Sequence, residues 1–194
     1  MDYESTVNIN GSILARRFTH AYRIRYGQPF RFEEGLRYEY KEVTTENVID
    51  AIVRETKDNA IAFLNSRHGG SIFFGIRDGD QVVVGVRLSA SERDRLRQRM
   101  VNAMKFIRPR VSQDEYRIHL HELTEGDHIL ADQFVVELEI LPGKSVEMYR
   151  KGDGKRKGEG RIYLKTEAGL QELDPWEHPE WVESEQNKRR NRQE

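Results

Sequence analysis

The segment SIFFGI at residues 71–76 is the feature that most constrains the fold, because it is a short and nearly continuous apolar run. Runs of this kind are typical of a central β-strand that is buried on both faces. The pair Asp78-Gly79 follows directly and is a strong signal for a hairpin turn, so residues 82–86 are predicted to form the return strand. The chain is therefore expected to contain a sheet with this strand in its interior.

Two helices and several further strands surround this run in the sequence. Residues 44–47 offer helix caps, and the apolar spacing after them predicts a helix to Leu64. Ser89 precedes a very polar helix that carries a narrow apolar stripe and extends to Phe106, before Pro109. Alternating or apolar patterns predict strands at 38–43, 116–123, 132–141 and 161–165. This order indicates an α+β domain, with a mixed β-sheet and helices packed on it.

The sequence also suggests domain boundaries. Residues 1–28 lack sustained periodicity and are interpreted as an N-terminal extension that packs on the lobe, with a short helix near 12–18 and an extended piece at 20–26. Residues 29–182 form the predicted lobe. Residues 183–194 contain hardly an apolar side chain and are predicted to be a disordered charged tail.

Composition limits the classes of function. The chain has no cysteine, which excludes disulfides and thiolate metal sites and suits a reducing compartment. No segment approaches the roughly 20 apolar residues of a membrane span, and the N-terminus does not resemble a signal peptide. A cytoplasmic location without membrane attachment is expected, and a nuclear one stays open. The formal net charge of -1 means that any RNA-binding surface must be local.

Three ordered motifs resemble the Schlafen family, in particular its AlbA-2-type lobe. The first is EGLRYEYK at residues 34–41, a glutamate followed after four residues by Glu-aromatic-Lys. The second is AFLNS at 62–66 with the glycine pair at 69–70, and the third is FGIRD at 74–78 with Val84-Gly85. Each motif alone is weak, but together, in this order and spacing, they are fairly specific. They cover about a quarter of the chain.

This resemblance implies a metal-dependent endoribonuclease that cuts structured RNA such as tRNA or rRNA. It implies that Mg²⁺ or Mn²⁺ is held by Glu34, Glu39 and Asp78, while the missing cysteines imply that the family's structural zinc is absent. Schlafen cores contain two such lobes, whereas one is visible here. The chain is similar in this respect to single-lobe nematode subunits that process the 5′ ends of piRNA precursors, which implies a second Schlafen-like lobe, from a homodimer or a heteromeric subunit.

The residues themselves allow a partial check of this site. Glu39 and Lys41 share one face of the predicted strand, with Glu39 expected to be exposed and Lys41 suited to bind a substrate phosphate. Glu34 is five positions before Glu39, so a regular strand would place it on the opposite face unless Gly35 introduces an irregularity. Glu33 leaves the register open by one residue.

Several of these residues also have ordinary explanations. An aspartate at a hairpin turn, such as Asp78, commonly serves the turn alone. His68 beside the glycine pair suits a general acid, but a loop or capping role is the simpler interpretation. His119 and His121 share a strand face that can hold a metal, and the lack of an obvious third ligand favours a polar face.

The RNA-binding surface is predicted in the glycine-rich segment 149–165, where flexible cationic side chains suit phosphate contacts. The predicted RNA-binding residues are Arg150, Lys151, Lys155, Arg156, Lys157 and Arg161. The arginine-rich helix at 93–110 and the basic residues 188–192 are further candidates. Two other functions stay open: a non-catalytic lobe that binds RNA or a partner lobe, and an AlbA-2 regulatory module.

Overall fold

A mixed β-sheet with helices on one face organises residues 24–66, 68–152 and 160–191, which this computed structural model describes. The helices are α1 Val48–Asn65, α2 Ala90–Met104 and α3 Pro179–Arg190. The strands are β1 Ile24–Arg25, β2 Tyr38–Lys41, β3 Gly70–Phe74, β4 Val86–Arg87, β5 Ile107–Arg108, β6 Tyr116–Glu125, β7 His128–Ile140, β8 Arg150–Lys151, β9 Ile162–Thr166 and β10 Gly169–Leu173.

The main sheet of the described residues has the strand order β1-β6-β7-β3-β2, and β4 pairs with β7. Strand β3 runs parallel to β2 and antiparallel to β7, so the predicted central strand does have a neighbour on each side. Strand β5 pairs with β8, and β9 forms a separate hairpin with β10. The predicted α+β class is confirmed.

The two faces of β3 explain its continuous apolar sequence. Ile72 and Phe74 point towards α1 and α2 and belong to the larger hydrophobic core. Phe73 points to the opposite face, where it packs with Tyr40 and Phe30 in a second core cluster. Because side chains alternate along a strand, both faces of β3 must be apolar.

The two predicted helices are confirmed, and their ends follow from local chemistry. Asn47 caps α1 by accepting a hydrogen bond from the Asp50 backbone at 3.4 Å. Ser89 and Glu92 form a capping box at the start of α2, with 2.9 Å between the Ser89 backbone nitrogen and Oε2 of Glu92. Helix α2 ends at Met104, two residues before the predicted end.

The predicted return strand at 82–86 does not form a regular ladder with β3. Only the isolated bridge between Ile76 and Val83 joins the two arms in the described residues, and β7 occupies the antiparallel position beside β3. Gly75 has φ of 96° and its carbonyl accepts from Gly85 at 2.8 Å, so the arms cross closely instead of running side by side. A Cβ atom on Gly75 would lie 2.8 Å from the Gly85 carbonyl carbon.

The prediction of a disordered tail from residue 183 is wrong for residues 183–190, which lie in α3. Pro179 begins this helix and Glu180 lies in its first turn, and both suit a helix N-terminus. The basic last turn complements the helix dipole, and Arg189 donates a hydrogen bond to the Asn65 carbonyl at 2.7 Å. The predicted helix at 12–18 and residues 192–194 lie outside the described residues. Within the described ranges, no helix combines the length and apolar character needed to cross a membrane.

Candidate active site at strand β2

Strand β2 places two charged side chains on the helix-facing side of the sheet. Glu39 lies beside Ile72 and Lys41 beside Phe74 in the parallel register with β3, so all four side chains share one face. Tyr40, between them, turns to the opposite face and donates a hydrogen bond from its hydroxyl to the Phe32 carbonyl at 2.6 Å. The alternation in the sequence thus separates an aromatic face from a charged face.

Glu39 is buried rather than exposed as expected, and both of its carboxylate oxygens have ammonium partners. Oε1 lies 2.6 Å from Nζ of Lys41, and Oε2 accepts a hydrogen bond from the buried Lys165 of β9. Burial alone would raise the pKa of the Glu39 carboxyl, but the hydrogen bonds and charges of Lys165 and Lys41 lower it below its ordinary value. Glu39 is therefore ionised at neutral pH.

Lys41 lies in the combined field of several carboxylates. Burial would lower the pKa of its ammonium, but the hydrogen bond to Glu39 and the charges of Glu39, Asp78 and Glu55 raise it instead. Its side chain is 26% exposed, so it also has access to solvent. Lys41 is a charged group at the border between the buried carboxylate and the surface.

Glu34 lies at the free edge of β2. Its Oε1 accepts a hydrogen bond from the Tyr40 backbone at 3.1 Å, and the Gly35 backbone bonds to the Tyr38 carbonyl at 3.1 Å. The chain therefore folds back at Gly35, where an irregularity was predicted. Of the two adjacent glutamates, Glu34 is the one whose carboxylate bonds to β2, and its side chain is exposed.

Asp78 lies in the exposed turn after β3, and its neighbour Asp80 performs the structural work of that turn. Asp80 accepts a hydrogen bond from the Val82 backbone at 3.1 Å and pairs with Arg77 at 2.7 Å. The charge of Asp78 acts instead on Lys41. This arrangement weakens the explanation that Asp78 serves only the turn.

Carboxylate oxygens are the donors that Mg²⁺ and Mn²⁺ prefer, so Glu34, Glu39 and Asp78 fit such a cation by type. Their present arrangement holds ammonium groups instead: among the described residues, no three His, Cys, Asp or Glu side chains are grouped closely enough to hold a metal ion. To ligate a cation, Glu39 must release either Lys41 or Lys165.

These residues fall within a region that matches a family model. Residues 34–174 match the family described as Schlafen, AlbA_2. The chain belongs to this family. No relative among curated proteins matches the sequence. Among solved structures, the Schlafen AlbA_2 chain is similar to the DIP2311 protein from Corynebacterium diphtheriae, with 15% identity and a TM-score of 0.47. That match covers 75% of this chain and 26% of the other, so this chain spans about a quarter of that protein's length.

The predicted histidine pair of the Schlafen AlbA_2 lobe lies beside two buried carboxylates that the sequence interpretation missed. Nε2 of His121 lies 2.8 Å from Oε2 of Glu137, and Nε2 of His119 lies 3.3 Å from Oε2 of Glu139. Ser71 donates a further hydrogen bond to Glu137 at 2.6 Å. The two glutamates share one parity on β7, but only the register between β6 and β7 shows that they face the histidines.

His68 is exposed, and its backbone nitrogen donates to the Ser66 hydroxyl at 3.4 Å. A general-acid role for His68 thus stays a hypothesis.

The predicted RNA-binding residues differ in how far their charges are neutralised. Arg150 is exposed, whereas Lys151 pairs with Asp58 at 2.9 Å and Arg161 pairs with Glu172. Lys155, Arg156 and Lys157 lie outside the described residues. A second basic surface lies in a cavity of about 300 Å³ between α1 and α2, lined by Asp50, Val53, Arg54, Lys57, Asp58, Arg99 and Lys151.

Proposed function

We propose that this Schlafen AlbA_2 lobe is an endoribonuclease domain whose active site is built on β2. The observation that carries the proposal is the Glu39–Lys41 pair, an ionised buried carboxylate beside an ammonium that also lies in the field of Asp78. Charged groups held in a fixed, partly desolvated position are the usual means of stabilising a phosphoryl transition state. Glu34 adds a second carboxylate at the same strand.

In this proposal Lys41 remains protonated and binds a phosphate oxygen of the RNA, where its charge stabilises the transition state. Glu34, Glu39 and Asp78 hold Mg²⁺ or Mn²⁺. When bound, such a cation polarises the scissile phosphate and makes water a better nucleophile. The exposed positions of Glu34 and Asp78 leave this edge open to a large substrate.

The proposed substrate class is structured RNA, including tRNA, rRNA and small-RNA precursors such as piRNA precursors. Exposed Arg150 and the basic residues 155–157 support phosphate contacts beside the lobe. The proposed partner is a second Schlafen-like lobe, either another copy or a related subunit, that grips the RNA from the other side.

A non-catalytic lobe is the second candidate, and one observation favours it. Glu39 links β2 to Lys165 of β9, which follows it by 126 residues in sequence, so this carboxylate has a structural role whatever its chemistry. A lobe that keeps Glu39 for stability alone would bind RNA or a partner without cutting.

A cleavage assay separates the two candidates. The full chain, alone and with a Schlafen-like partner lobe, is incubated with structured RNAs in Mn²⁺, Mg²⁺ or EDTA. Cleavage that EDTA stops, and that Glu34→Gln and Asp78→Asn abolish, supports the nuclease. The matched control is Glu33→Gln, an exposed neighbour that should keep full activity. Binding without cleavage under all these conditions would support the non-catalytic lobe.

A further inference from the structure

Each oxygen of the Glu39 carboxylate has its own ammonium, and the two lysines have different surroundings. Lys165 has a side chain that is 2% exposed, whereas the Lys41 side chain is 26% exposed. Both lysines lie within ion-pair distance of a carboxylate that is itself 8% exposed. The difference in exposure decides which ammonium can leave.

Lys165 is held in place by the strand that carries it. Strand β9 is paired along its length with β10 and is tied to the end of α1, where the Asn65 amide donates to the Tyr163 carbonyl at 3.2 Å. Glu39 supplies the carboxylate that balances the Lys165 charge. Separating a buried ammonium from its carboxylate without a replacement partner is strongly unfavourable.

Lys41 has somewhere else to go. Asp78 and Glu55 both act electrostatically on its ammonium, so Lys41 remains in a negative field when it leaves Oε1 of Glu39. Its partial exposure also allows water to replace the hydrogen bond to Glu39. The free-energy cost of moving Lys41 is therefore much smaller than that of moving Lys165.

We propose that Lys165 is a positioning residue that permanently occupies Oε2 of Glu39, and that Lys41 exchanges with a divalent cation at Oε1. Cation binding thereby moves the Lys41 ammonium towards Asp78 and Glu55, nearer the surface where a substrate phosphate approaches. The role of the cation in cleavage rests on the proposed function, but the exchange itself needs no RNA.

Nuclear magnetic resonance of the lysine ammonium groups tests the exchange directly in the full chain. The ¹⁵Nζ signals of Lys165 and Lys41 are assigned with Lys165→Arg and Lys41→Arg, which remove each signal but keep a cation. On addition of Mg²⁺, the Lys165 signal should stay visible and unshifted, while the Lys41 signal should move in proportion to saturation. In Glu39→Gln, Mg²⁺ should move neither signal.

Calorimetric titration with Mn²⁺ gives a second, independent measurement. Lys41→Met removes the competing ammonium and should tighten Mn²⁺ binding about tenfold, because the binding-competent state no longer competes with the ion pair. Lys41→Arg keeps a competing cation and should bind Mn²⁺ as weakly as the wild-type chain does.

Several results would overturn the proposal. These are a Lys165 signal that is absent or shifts with Mg²⁺, a Lys41 signal that does not move, and a lack of Mn²⁺ binding in both wild type and Lys41→Met. Failure of the proposed function has a different signature. In that case the exchange is observed as described, but no RNA is cut with or without a partner lobe.

Discussion

Tyr149 donates a hydrogen bond from its hydroxyl to Oε1 of Glu115, and the two oxygens lie 2.5 Å apart in the interior. The same carboxylate accepts from the backbone of Lys144 at 2.9 Å and of Ser112 at 2.7 Å. Burial, followed by the hydrogen bond to Glu115, raises the pKa of the Tyr149 hydroxyl, which therefore stays protonated. Glu115 thus joins the start of β6 to the loop after β7.

The first prediction concerns this junction. Tyr149→Phe should lower the free energy of unfolding by about 1–3 kcal/mol, because Glu115 loses a donor in the interior. Glu115→Ala should cost more, since it leaves two backbone N–H groups without their acceptor. Urea denaturation measures both. Tyr26→Phe, at a tyrosine that is 42% exposed, is the control and should change stability by less than about 0.5 kcal/mol. Equal losses for Tyr149→Phe and the control would contradict the prediction.

The second prediction is a pH dependence of stability from His119. Its hydrogen bond to Glu139 raises its pKa, burial opposes this, and the charges of Glu137 and Glu139 raise it further, against Arg117; His121 faces the same group. A histidine whose pKa is raised by folding stabilises the protein fully below its unfolded pKa of about 6.5. That contribution is lost as the pH rises through the folded pKa.

Unfolding free energies measured at intervals from about pH 5 to pH 9 therefore separate wild type from His119→Gln most at the acidic end. The difference should shrink as the pH rises. His68→Gln removes an exposed histidine and serves as the control. A difference that grows with pH would show that the imidazole is stabilised in its neutral form.

The helices and the central strand were predictable from the sequence because their signals are local. The apolar spacing from Val48 and the Ser89–Glu92 capping box lie within a few residues of the helices that they define. The continuous apolar run of β3 reflects burial on both faces. In each case a short segment contains all of the information.

The errors involve relationships between distant segments. The hairpin at Asp78-Gly79 forms a turn, but β7 outcompetes its return arm because residues 70–74 pair with residues 136–140. The carboxylates beside His119 and His121 depend on the β6–β7 register. The contact between Lys165 and Glu39 spans 126 residues, and nothing in the sequence around either residue indicates it. The expectation that Glu39 is exposed was wrong for this reason.

The third prediction follows from that contact. Glu39→Ala leaves the buried Lys165 ammonium without its partner and should lower the free energy of unfolding by about 3–5 kcal/mol. The double variant Glu39→Gln/Lys165→Met should cost less than the sum of its single variants by about 1–3 kcal/mol. Chemical denaturation of the four proteins completes the cycle, and Glu33→Ala is the exposed control. Simple additivity would show that the two residues do not interact energetically.

The fourth prediction concerns the salt dependence of RNA binding. Replacing Lys155, Arg156 and Lys157 by glutamine should flatten the plot of log affinity against log salt, by about 0.9 for each duplex phosphate that the protein no longer neutralises. Arg150→Gln should act in the same direction because its side chain is exposed.

Filter binding or fluorescence anisotropy over a range of salt measures these slopes. Lys151→Gln is an informative comparison, since Asp58 already neutralises its charge, and its effect should be smaller than that of Arg150→Gln. An unchanged slope in the triple variant would move the RNA path to the basic surface between α1 and α2.

The last prediction is that the lobe does not cut RNA as an isolated monomer. Its candidate site lies on a single strand edge, so a structured RNA held only there is open on its other side. Trp176 is 86% exposed and lies with Pro175, Pro179 and Val182 around a cavity of about 420 Å³. An exposed indole beside an apolar cavity is a typical anchor of a protein interface.

We therefore expect the purified chain to be inert under conditions where light scattering shows a monomer, and to cut RNA once a second Schlafen-like lobe is bound. Trp176→Ser should weaken that association at least about tenfold, the loss expected for a buried aromatic anchor. Ile129→Ser, at a hairpin residue that is 63% exposed, is the matched control and should leave association unchanged. Full activity from a demonstrated monomer would refute the need for a partner, whereas equal weakening by both variants would place the interface elsewhere.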